Sequence, residues 1–453
     1  MSSARTTGIS GFPEWLPGER IIELAIIEAA REVFELHGFA SIETRSVEPL
    51  DEMLRKGEID KEVYVLRRLH AAPDEADPGL GLHFDLTVPL ARYVVQQAGH
   101  LEFPFRRYQI QKVWRGERPQ EGRSREFTQA DIDIVDRNEL AFHHEVEMAV
   151  VMSSLLGALP IPPAVIHVSN RKLAEGFYRA IGVADPAPVL RVIDKLDKVG
   201  EESTARLLVQ EAGLTAAAAD LCLQLASISS ADDSFADHIE AIGVRSEAMD
   251  QGIVELAAVI DGANRQRPGS VRADLRIARG LDYYTGTVYE TFLEGHQSVG
   301  SIASGGRYDT LARDARGTYP GVGISLGVSR LMAILLNRDL VRASRGVPTA
   351  VLVAVNDDAS RNESELIAAR LRARGISTEV SPRADKFGKQ IRYADRRGIP
   401  FVWFPGAPEP VKDIRSGVQS AADPDHWLPP AQDLRPQVLR TDPGMPATGE
   451  MTR

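Results

Sequence analysis

Between Arg279 and Glu290 the chain reads R-G-L-D-Y-Y-T-G-T-V-Y-E, which gathers a fixed cation, carboxylates and adjacent phenols into one short segment punctuated by glycines. Glycine lets a bulky ligand come close to the backbone, so such a segment suits the floor of a binding site. Taken alone it equally suits an ordinary strand, with Tyr283, Tyr284 and Tyr289 as packed aromatics and Arg279 paired to Asp282. A second group lies at 105–135. Arg107, Gln109, Gln111, Val113 and Arg115 alternate there with Tyr108, Ile110 and Trp114, and beyond the turn-rich run Glu117–Arg125 a returning segment alternates Phe127, Gln129, Asp131 and Asp133 with Ala130, Ile132 and Ile134. Alternation on both sides of a turn predicts a long antiparallel hairpin, polar on one face and apolar beneath. Solvation explains a polar face on an edge hairpin. An aromatic, carboxylates, an amide and the Arg115 cation aimed at one place exceed that need and suit a cationic ligand beside a phosphate.

These residues need elements to carry them. In Leu82–Tyr93 the spacing of Asp85 and Thr87 is that of one strand face, with Phe84, Leu86 and Val88 on the other. G-V-G-I-S-L-G-V-S-R-L, from Gly321, reads as a glycine-punctuated strand entering an apolar helix, with Arg330 on its first turns, where a cation and a helix N-terminus can reach the same phosphate. Ser301–Asp309 is a strand broken at Gly305 and Gly306. Elsewhere, Glu19–His37 reads as a buried helix, Phe39–Val47 as a strand stopped by Pro49, Glu139–Leu159 as a helix and Val165–Asn170 as a strand. Lys172 to about Gly269 alternates helical segments with polar turns. Beyond the polar boundary Arg345–Pro348, strands and helices alternate through Phe404, the pattern of a small, largely parallel α/β domain. Its second helix carries Lys386, Lys389 and Arg392 on one face, interleaved with Phe387 and Tyr393, which favours a nucleotide-stacking surface. The remainder from about Ser420 is rich in Pro, Asp and Ala and reads as mostly disordered.

Composition narrows the function. The 453 residues are too many for one compact domain, and 43% hydrophobic content supplies a core for each of two or three. A formal charge of −11 argues against a protein that coats nucleic acid non-specifically, although basic patches stand at Arg106–Arg125 and Arg383–Arg397. The single cysteine, Cys222, excludes an internal disulfide and a Cys-rich zinc site, and reads as a core residue. No signal peptide and no long apolar run are evident, so a cytoplasmic protein without a membrane partner is expected.

Read together, the segments resemble the histidyl-tRNA synthetases, a branch of the class II aminoacyl-tRNA synthetases, from about Gly18 to Gln419. V-W-R-G-E-R-P-Q-E-G-R with F-T-Q-A-D-I-D looks like the second motif of the class, and G-V-G-I-S-L-G-V-S-R-L like the third. R-G-L-D-Y-Y-T-G-T-V-Y-E and A-S-G-G-R-Y-D are similar to signatures of the histidine branch, and K-F-G-K-Q-I-R-Y-A-D-R-R-G-I-P resembles part of its anticodon-binding domain. The resemblance implies an α/β fold built on an antiparallel six-stranded sheet with flanking helices. Its divisions would be a first catalytic part at 1–170, a helical insertion at 171–269, a second catalytic part at 270–343, an anticodon-binding domain at 347–420 and a disordered tail at 421–453.

The resemblance also implies a homodimer formed near Val47–Pro49, activation of L-histidine by ATP with Mg²⁺, and transfer of the histidyl group to tRNA(His). Arg115, Glu117, Phe127 and Arg330 would bind ATP, with Arg115 on the α-phosphate, Phe127 stacked on adenine and Arg330 on the γ-phosphate side. Arg279 would neutralise charge building on the α-phosphate. Asp85, Thr87 and Gln129 would hold the histidine amino group and Asp133 and Tyr284 the two imidazole nitrogens, with Tyr283 and Gly305 also lining that pocket. Arg118, Gln120 and Arg123 would meet the acceptor end of the tRNA, including its extra guanine, and Lys386, Lys389 and Arg392 its distal part. No metal ligands from side chains are expected. The chain departs from the family pattern at Asp85 and Asp133, where many bacterial members carry glutamate, and Trp403–Pro410 matches no family motif. Two alternatives stand beside this reading. One is a non-catalytic regulatory subunit of histidine biosynthesis, disfavoured by the anticodon-like domain and the R-G-L-D-Y-Y segment. The other is a threonyl- or prolyl-type synthetase, disfavoured by the histidine signature and the lack of a zinc-capable Cys/His set.

Overall fold

The computed structural model describes residues 8–54, 62–70, 79–278 and 283–441. It divides into two compact units, Met1–Pro13 with Ile26–Ile334 and Glu14–Ala25 with Leu335–Arg453. Arg279, together with Gly280, Leu281 and Asp282, lies outside the described residues.

The first unit is organised by one sheet. Its strands are β1 (Ala40–Ser41), β2 (Phe105–Trp114), β3 (Glu126–Val135), β4 (Ala164–Asn170), β5 (Ser229–Ser230), β6 (Val271–Asp274), β7 (Tyr284–Leu293), β8 (Ala303–Tyr308) and β9 (Gly321–Gly327). They lie in the order β1-β2-β3-β9-β8-β7-β4-β6-β5. The central six, β2 to β4 in that order, are antiparallel throughout, as the resemblance implied. Short strands extend the sheet to nine, β1 and β6 joining in parallel and β5 antiparallel. The predicted hairpin is β2–β3, with Arg107 opposite Asp133, Gln109 opposite Asp131, Gln111 opposite Gln129 and Val113 opposite Phe127. Directly opposed residues share a face. Beneath them Ala130, Ile132 and Ile134 are buried.

Helix α1 (Pro17–Leu36) buries Ile22, Ile26, Ala30 and Phe34 at four-residue spacing, while Leu24 and Leu36 stay exposed, so it is buried along one stripe and not all round as its composition suggested. Three other expectations fail. The strand at Ser301–Asp309 is not broken at Gly305 and Gly306, because β8 runs through both and pairs them with Ile324 and Gly323. The strand anticipated at Phe39–Val47 is split into β1 and Val47–Pro49. The latter joins Leu80–Leu82 and Val65–Leu66 in a separate three-stranded sheet, and Gln109 on β2 holds the intervening turn by donating to Thr44 Oγ1 at 3.0 Å. Asp85 and Thr87 are not on a strand. Helix α2 (Thr87–Gln97) begins at Thr87, and Asp85 Oδ1 accepts from Val88 N at 3.0 Å, satisfying a donor that the first helical turn leaves open.

Helix α3 (His143–Ala158) covers the back of the sheet, where Glu145 accepts from Thr287 N at 2.9 Å and from the Tyr289 hydroxyl through its carbonyl at 2.6 Å. Tyr289 is therefore a fully buried strand aromatic on the helix side. Between β4 and β6 the described chain is almost entirely helical, ending in α4 (Glu247–Gln266), which packs on α3 and β4. Cys222 is buried within it, and that burial pushes the thiol up to about 12, as befits an inert core residue.

The second unit carries a five-stranded sheet of β10 (Val351–Val353), β11 (Thr378–Val380), β12 (Phe401–Trp403), β13 (Val411–Asp413) and β14 (Gln419–Ser420) in the order β11-β10-β12-β13-β14. Only β10, β11 and β12 are mutually parallel; the last two strands pair antiparallel. Helices α6 (Arg361–Ala373) and α7 (Phe387–Arg396) flank it, α5 (Val328–Asn337) being the helix that follows β9. The disorder expected after Ser420 does not hold for 421–441. Val438–Arg440 pairs with Val341–Ala343, and Trp427 meets Phe401 and Trp403 edge-on. Arg415 is bridged to Asp433 at 2.7 Å. Residues 442–453 lie outside the described residues.

Candidate active site

On the face of the sheet opposite α3, β3, β9, β8 and β7 form the floor of two adjoining cavities. The larger, about 420 Å³, is lined by Arg115, Glu117, Gly122, Arg123, Phe127, Gln129, Tyr283, Tyr284, Glu290, Ser304, Ser325 and Arg330, among others. The smaller, about 90 Å³, is lined by Asp85, Thr87, Arg115, Gln129, Asp131, Asp133, Tyr283, Tyr284, Ser304, Gly305, Tyr308 and Ser325 with parts of β9. Residues scattered from 85 to 330 in sequence thus converge because the register brings them side by side: Asp131 faces Ser325, Ser325 faces Ser304, and Ser304 faces Glu290.

The larger cavity has a cationic and an aromatic wall. Arg115 is anchored by Nε donating to the Phe84 carbonyl at 3.0 Å, and its Cζ stands 5.1 Å from the centroid of the Phe127 ring. Glu117 lies 4.0 Å from Arg115 and 3.5 Å from Arg123. Arg330 is on the first turn of α5, as expected, where its Nη2 donates to the Val299 carbonyl at 2.6 Å, and Ser329 Oγ beside it accepts from Thr128 N at 2.8 Å. Gln120 and Arg123 close the tip of the β2–β3 hairpin through paired backbone hydrogen bonds of 3.1 and 2.9 Å, leaving Arg118 and Gln120 exposed and Arg123 on the cleft wall.

The smaller cavity is polar and tightly braced. Asp133 accepts from Arg107 Nη2 at 2.6 Å and from the Tyr308 hydroxyl at 2.7 Å. Tyr284 stacks obliquely on Tyr283, ring centroids 4.3 Å apart. Burial, and then Tyr283, holds the Tyr284 phenol well above its ordinary value, so it stays protonated and able to donate. Burial likewise pushes the Asp131 carboxyl up to about 7, Arg107 opposing and Asp133 reinforcing the shift. Gly323 is obligatory here, since a Cβ would fall inside the contact distance of Asp133 Oδ1 and lie 2.7 Å from Ile132 O. Gly323→Ala should therefore lower stability by about 1–3 kcal/mol, the range for overpacking, read as a lower denaturation midpoint.

All seven residues expected to line a histidine pocket, Asp85, Thr87, Gln129, Asp133, Tyr283, Tyr284 and Gly305, meet in the smaller cavity. Those expected for ATP, Arg115, Glu117, Phe127 and Arg330, meet in the larger. In the second unit Lys386, Lys389 and Arg392 are exposed at or on α7, with Lys389 3.2 Å from Asp385. Tyr393 does not belong to a stacking surface: it packs into the core with its hydroxyl 3.4 Å from Glu379, leaving only Phe387 exposed. Arg107, Tyr308 and Ser325 carry no site role in the sequence reading, and Asp131 enters it only as one of the carboxylates on the hairpin's polar face. Hairpin register places Arg107 across from Asp133, but Tyr308 and Ser325 reach the site through strand neighbours that no local pattern announces.

The family model for histidyl-tRNA synthetase matches residues 11–331, and one for anticodon-binding domains matches 349–413. The chain belongs to the histidyl-tRNA synthetase family. A histidine–tRNA ligase from Cutibacterium acnes is 57% identical over 452 residues, covering 97% of this chain and 100% of that protein. The crystal structure of histidyl-tRNA synthetase from Nostoc superposes with a TM-score of 0.83 at 33% identity, covering 93% of this chain and 98% of that one. A structure titled as an ATP phosphoribosyltransferase regulatory subunit/histidyl-tRNA synthetase from Bacillus halodurans has a TM-score of 0.70 at 17% identity, covering 86% of this chain and 96% of that one, a likeness of fold alone. As a histidyl-tRNA synthetase the chain is a class II aminoacyl-tRNA synthetase, and the regulatory-subunit alternative is not favoured. Among the described residues no helix is long and apolar enough to cross a membrane.

Proposed function

We propose that the two cavities divide one reaction, the smaller holding L-histidine and the larger ATP. The observation that carries this is the meeting of a carboxylate, an amide and a protonated phenol in a small polar cavity that shares Arg115 and Gln129 with the larger, cation-lined one. In the first step a carboxylate oxygen of histidine attacks the α-phosphorus of ATP, and the bond to the β-phosphate oxygen breaks to release pyrophosphate. In the second a ribose hydroxyl at the 3′ end of tRNA(His) attacks the carbonyl carbon and AMP leaves. Such transfers need positioning and neutralisation of charge more than covalent help from the protein.

Arg115 neutralises the α-phosphate, Phe127 offers a face to adenine, and Glu117 and Arg330 complete the nucleotide site. Arg279, outside the described residues, supplies a second cation at the α-phosphate in this reading. Gln129, Asp85 and Thr87 take the amino group. A neutral imidazole has one N–H and one lone pair; Asp133 accepts from the first and Tyr284 donates to the second. An apolar competitor would leave both buried groups unpaired, which is the source of discrimination.

No group of three or more metal-ligating side chains exists among the described residues, while Glu117 and Glu290 line the larger cavity. That sparse set fits Mg²⁺, a hard ion that keeps waters and binds through one or two carboxylates plus phosphates. When bound it would screen the phosphate oxygens. Arg118, Gln120 and Arg123 face the acceptor end of the tRNA and Lys386, Lys389 and Arg392 its anticodon end, in a cytoplasmic homodimer assembled near Val47–Pro49. The test is pyrophosphate exchange into ATP across the amino acids. Exchange is expected with histidine alone; exchange with another amino acid, or none with histidine, would sink the assignment.

A further inference from the structure

Gln129, which lines both cavities, stands beside Ser325 and Asp131 on the same face of the sheet. Gln129 Nε2 is 2.7 Å from Ser325 Oγ. Ser325 in turn stands directly opposite Asp131 on the neighbouring strand, the two side chains sharing one face and lining the smaller cavity together. A serine hydroxyl has one proton to give. If that proton goes to the Asp131 carboxylate, the oxygen of Ser325 must accept from Gln129, and the amide can face it only with its NH₂ group. Gln129 Oε1 is then left as an acceptor. It is buried, it has no partner among the described residues, and Gln129 lines both cavities.

From this geometry we infer that Asp131 and Ser325 form a positioning relay that locks Gln129 with Oε1 toward the substrate, making it an acceptor for the protonated amine of histidine. The inference rests on the reading of Gln129 as an amine ligand. It adds the polarity of the site and the residues that fix it. Asp131 is 2% exposed and its Oδ1 has no partner among the described residues, which leaves the facing Ser325 hydroxyl as a donor the carboxylate can use. An ammonium bound nearby favours the ionised carboxylate, so substrate binding and the acceptor state of the relay reinforce one another. Without the relay the amide is free to turn, and an NH₂ group facing an ammonium repels it.

The experiment measures histidine and ATP KM values in pyrophosphate exchange, together with inhibition by imidazolepropionate, which has the ring and carboxylate of histidine but no amine. Ser325→Ala should raise the histidine KM about tenfold, the size expected for one hydrogen bond to a charged group. The ATP KM and the imidazolepropionate Ki should stay within about twofold, a split that general loosening of the pocket would not give. Ser325→Cys, which keeps the volume but hydrogen-bonds weakly, should shift the histidine KM in the same direction. An unchanged histidine KM in both Ser325 variants, or a parallel rise in the imidazolepropionate Ki, overturns the relay. Gln129→Leu separates the two levels. If it leaves the histidine KM unchanged, the reading of Gln129 as amine ligand is wrong; if it raises that KM while the Ser325 variants do not, only the relay is wrong.

Discussion

Arg115→Ala should lower histidine-dependent pyrophosphate exchange by about a hundredfold or more, with a smaller change in the histidine KM. The loss follows from preorganisation. The guanidinium is fixed at one edge by the Phe84 carbonyl and set against the Phe127 ring, and it lies on the wall shared by both cavities. A cation held there has no reorganisation to undergo when negative charge builds on the α-phosphate, and removing one such contact typically costs 10²–10³ in rate. Arg279→Ala should lose a similar factor, about a hundredfold, on the charge argument alone. Arg115→Lys keeps the charge but cannot serve the carbonyl and a phosphate oxygen with one planar fork, so it should recover only part of the rate. Steady-state exchange at saturating ATP decides the point. A loss below about fivefold in Arg115→Ala would show that the cation is not engaged in the transition state.

The parts of this site legible in the sequence are those written in local periodicity. The hairpin was legible because its polar and apolar positions alternate on both sides of a turn, and that alternation already implies which residues face one another. The same rule misled at Leu82–Val88. Polar and apolar residues alternate there too, yet Pro89 lies in the first turn of α2, where a missing N–H costs nothing, and the chain turns helical at Thr87. Strand order was a different problem. Ser325 stands opposite Asp131 and Tyr308 reaches Asp133 because β9 lies between β3 and β8, an adjacency that depends on the packing of the whole sheet. The folded part of the tail was hidden for a similar reason. Trp427 is held by Phe401 and Trp403, and Asp433 by Arg415, contacts between residues far apart in sequence that follow no repeat.

Asp133→Ala should destabilise the first unit by about 3–5 kcal/mol, the cost of leaving a buried charge without its partner. Arg107 is fully buried, and two of its nitrogens, Nε and Nη1, have no hydrogen-bond partner among the described residues. Beyond Asp133 it retains the Leu86 carbonyl at 3.3 Å. A second carboxyl that interacts with Arg107 is Asp131, and its titration gives the loss a pH dependence. Burial raises the Asp131 pKa from 3.8 to about 7, so between those values the folded state holds a proton that the unfolded chain has released. Stability from this group therefore falls as pH rises from about 4 to about 7 and levels off above. Removing Asp133 deletes a neighbouring negative charge and leaves Arg107 in need of one, both of which lower the Asp131 pKa. Asp131 then becomes the counter-ion, most completely above pH 7. The destabilisation should accordingly be smaller at pH 8 than at pH 6 by about 1 kcal/mol or more, the scale of one unit of pKa change. Tyr308→Phe, which removes only the second hydrogen bond to Asp133, should cost about 1 kcal/mol at both pH values. Thermal unfolding of the two variants at pH 6 and pH 8 tests this, and an Asp133→Ala loss that is larger at pH 8 would mean that Asp131 does not replace Asp133 beside Arg107.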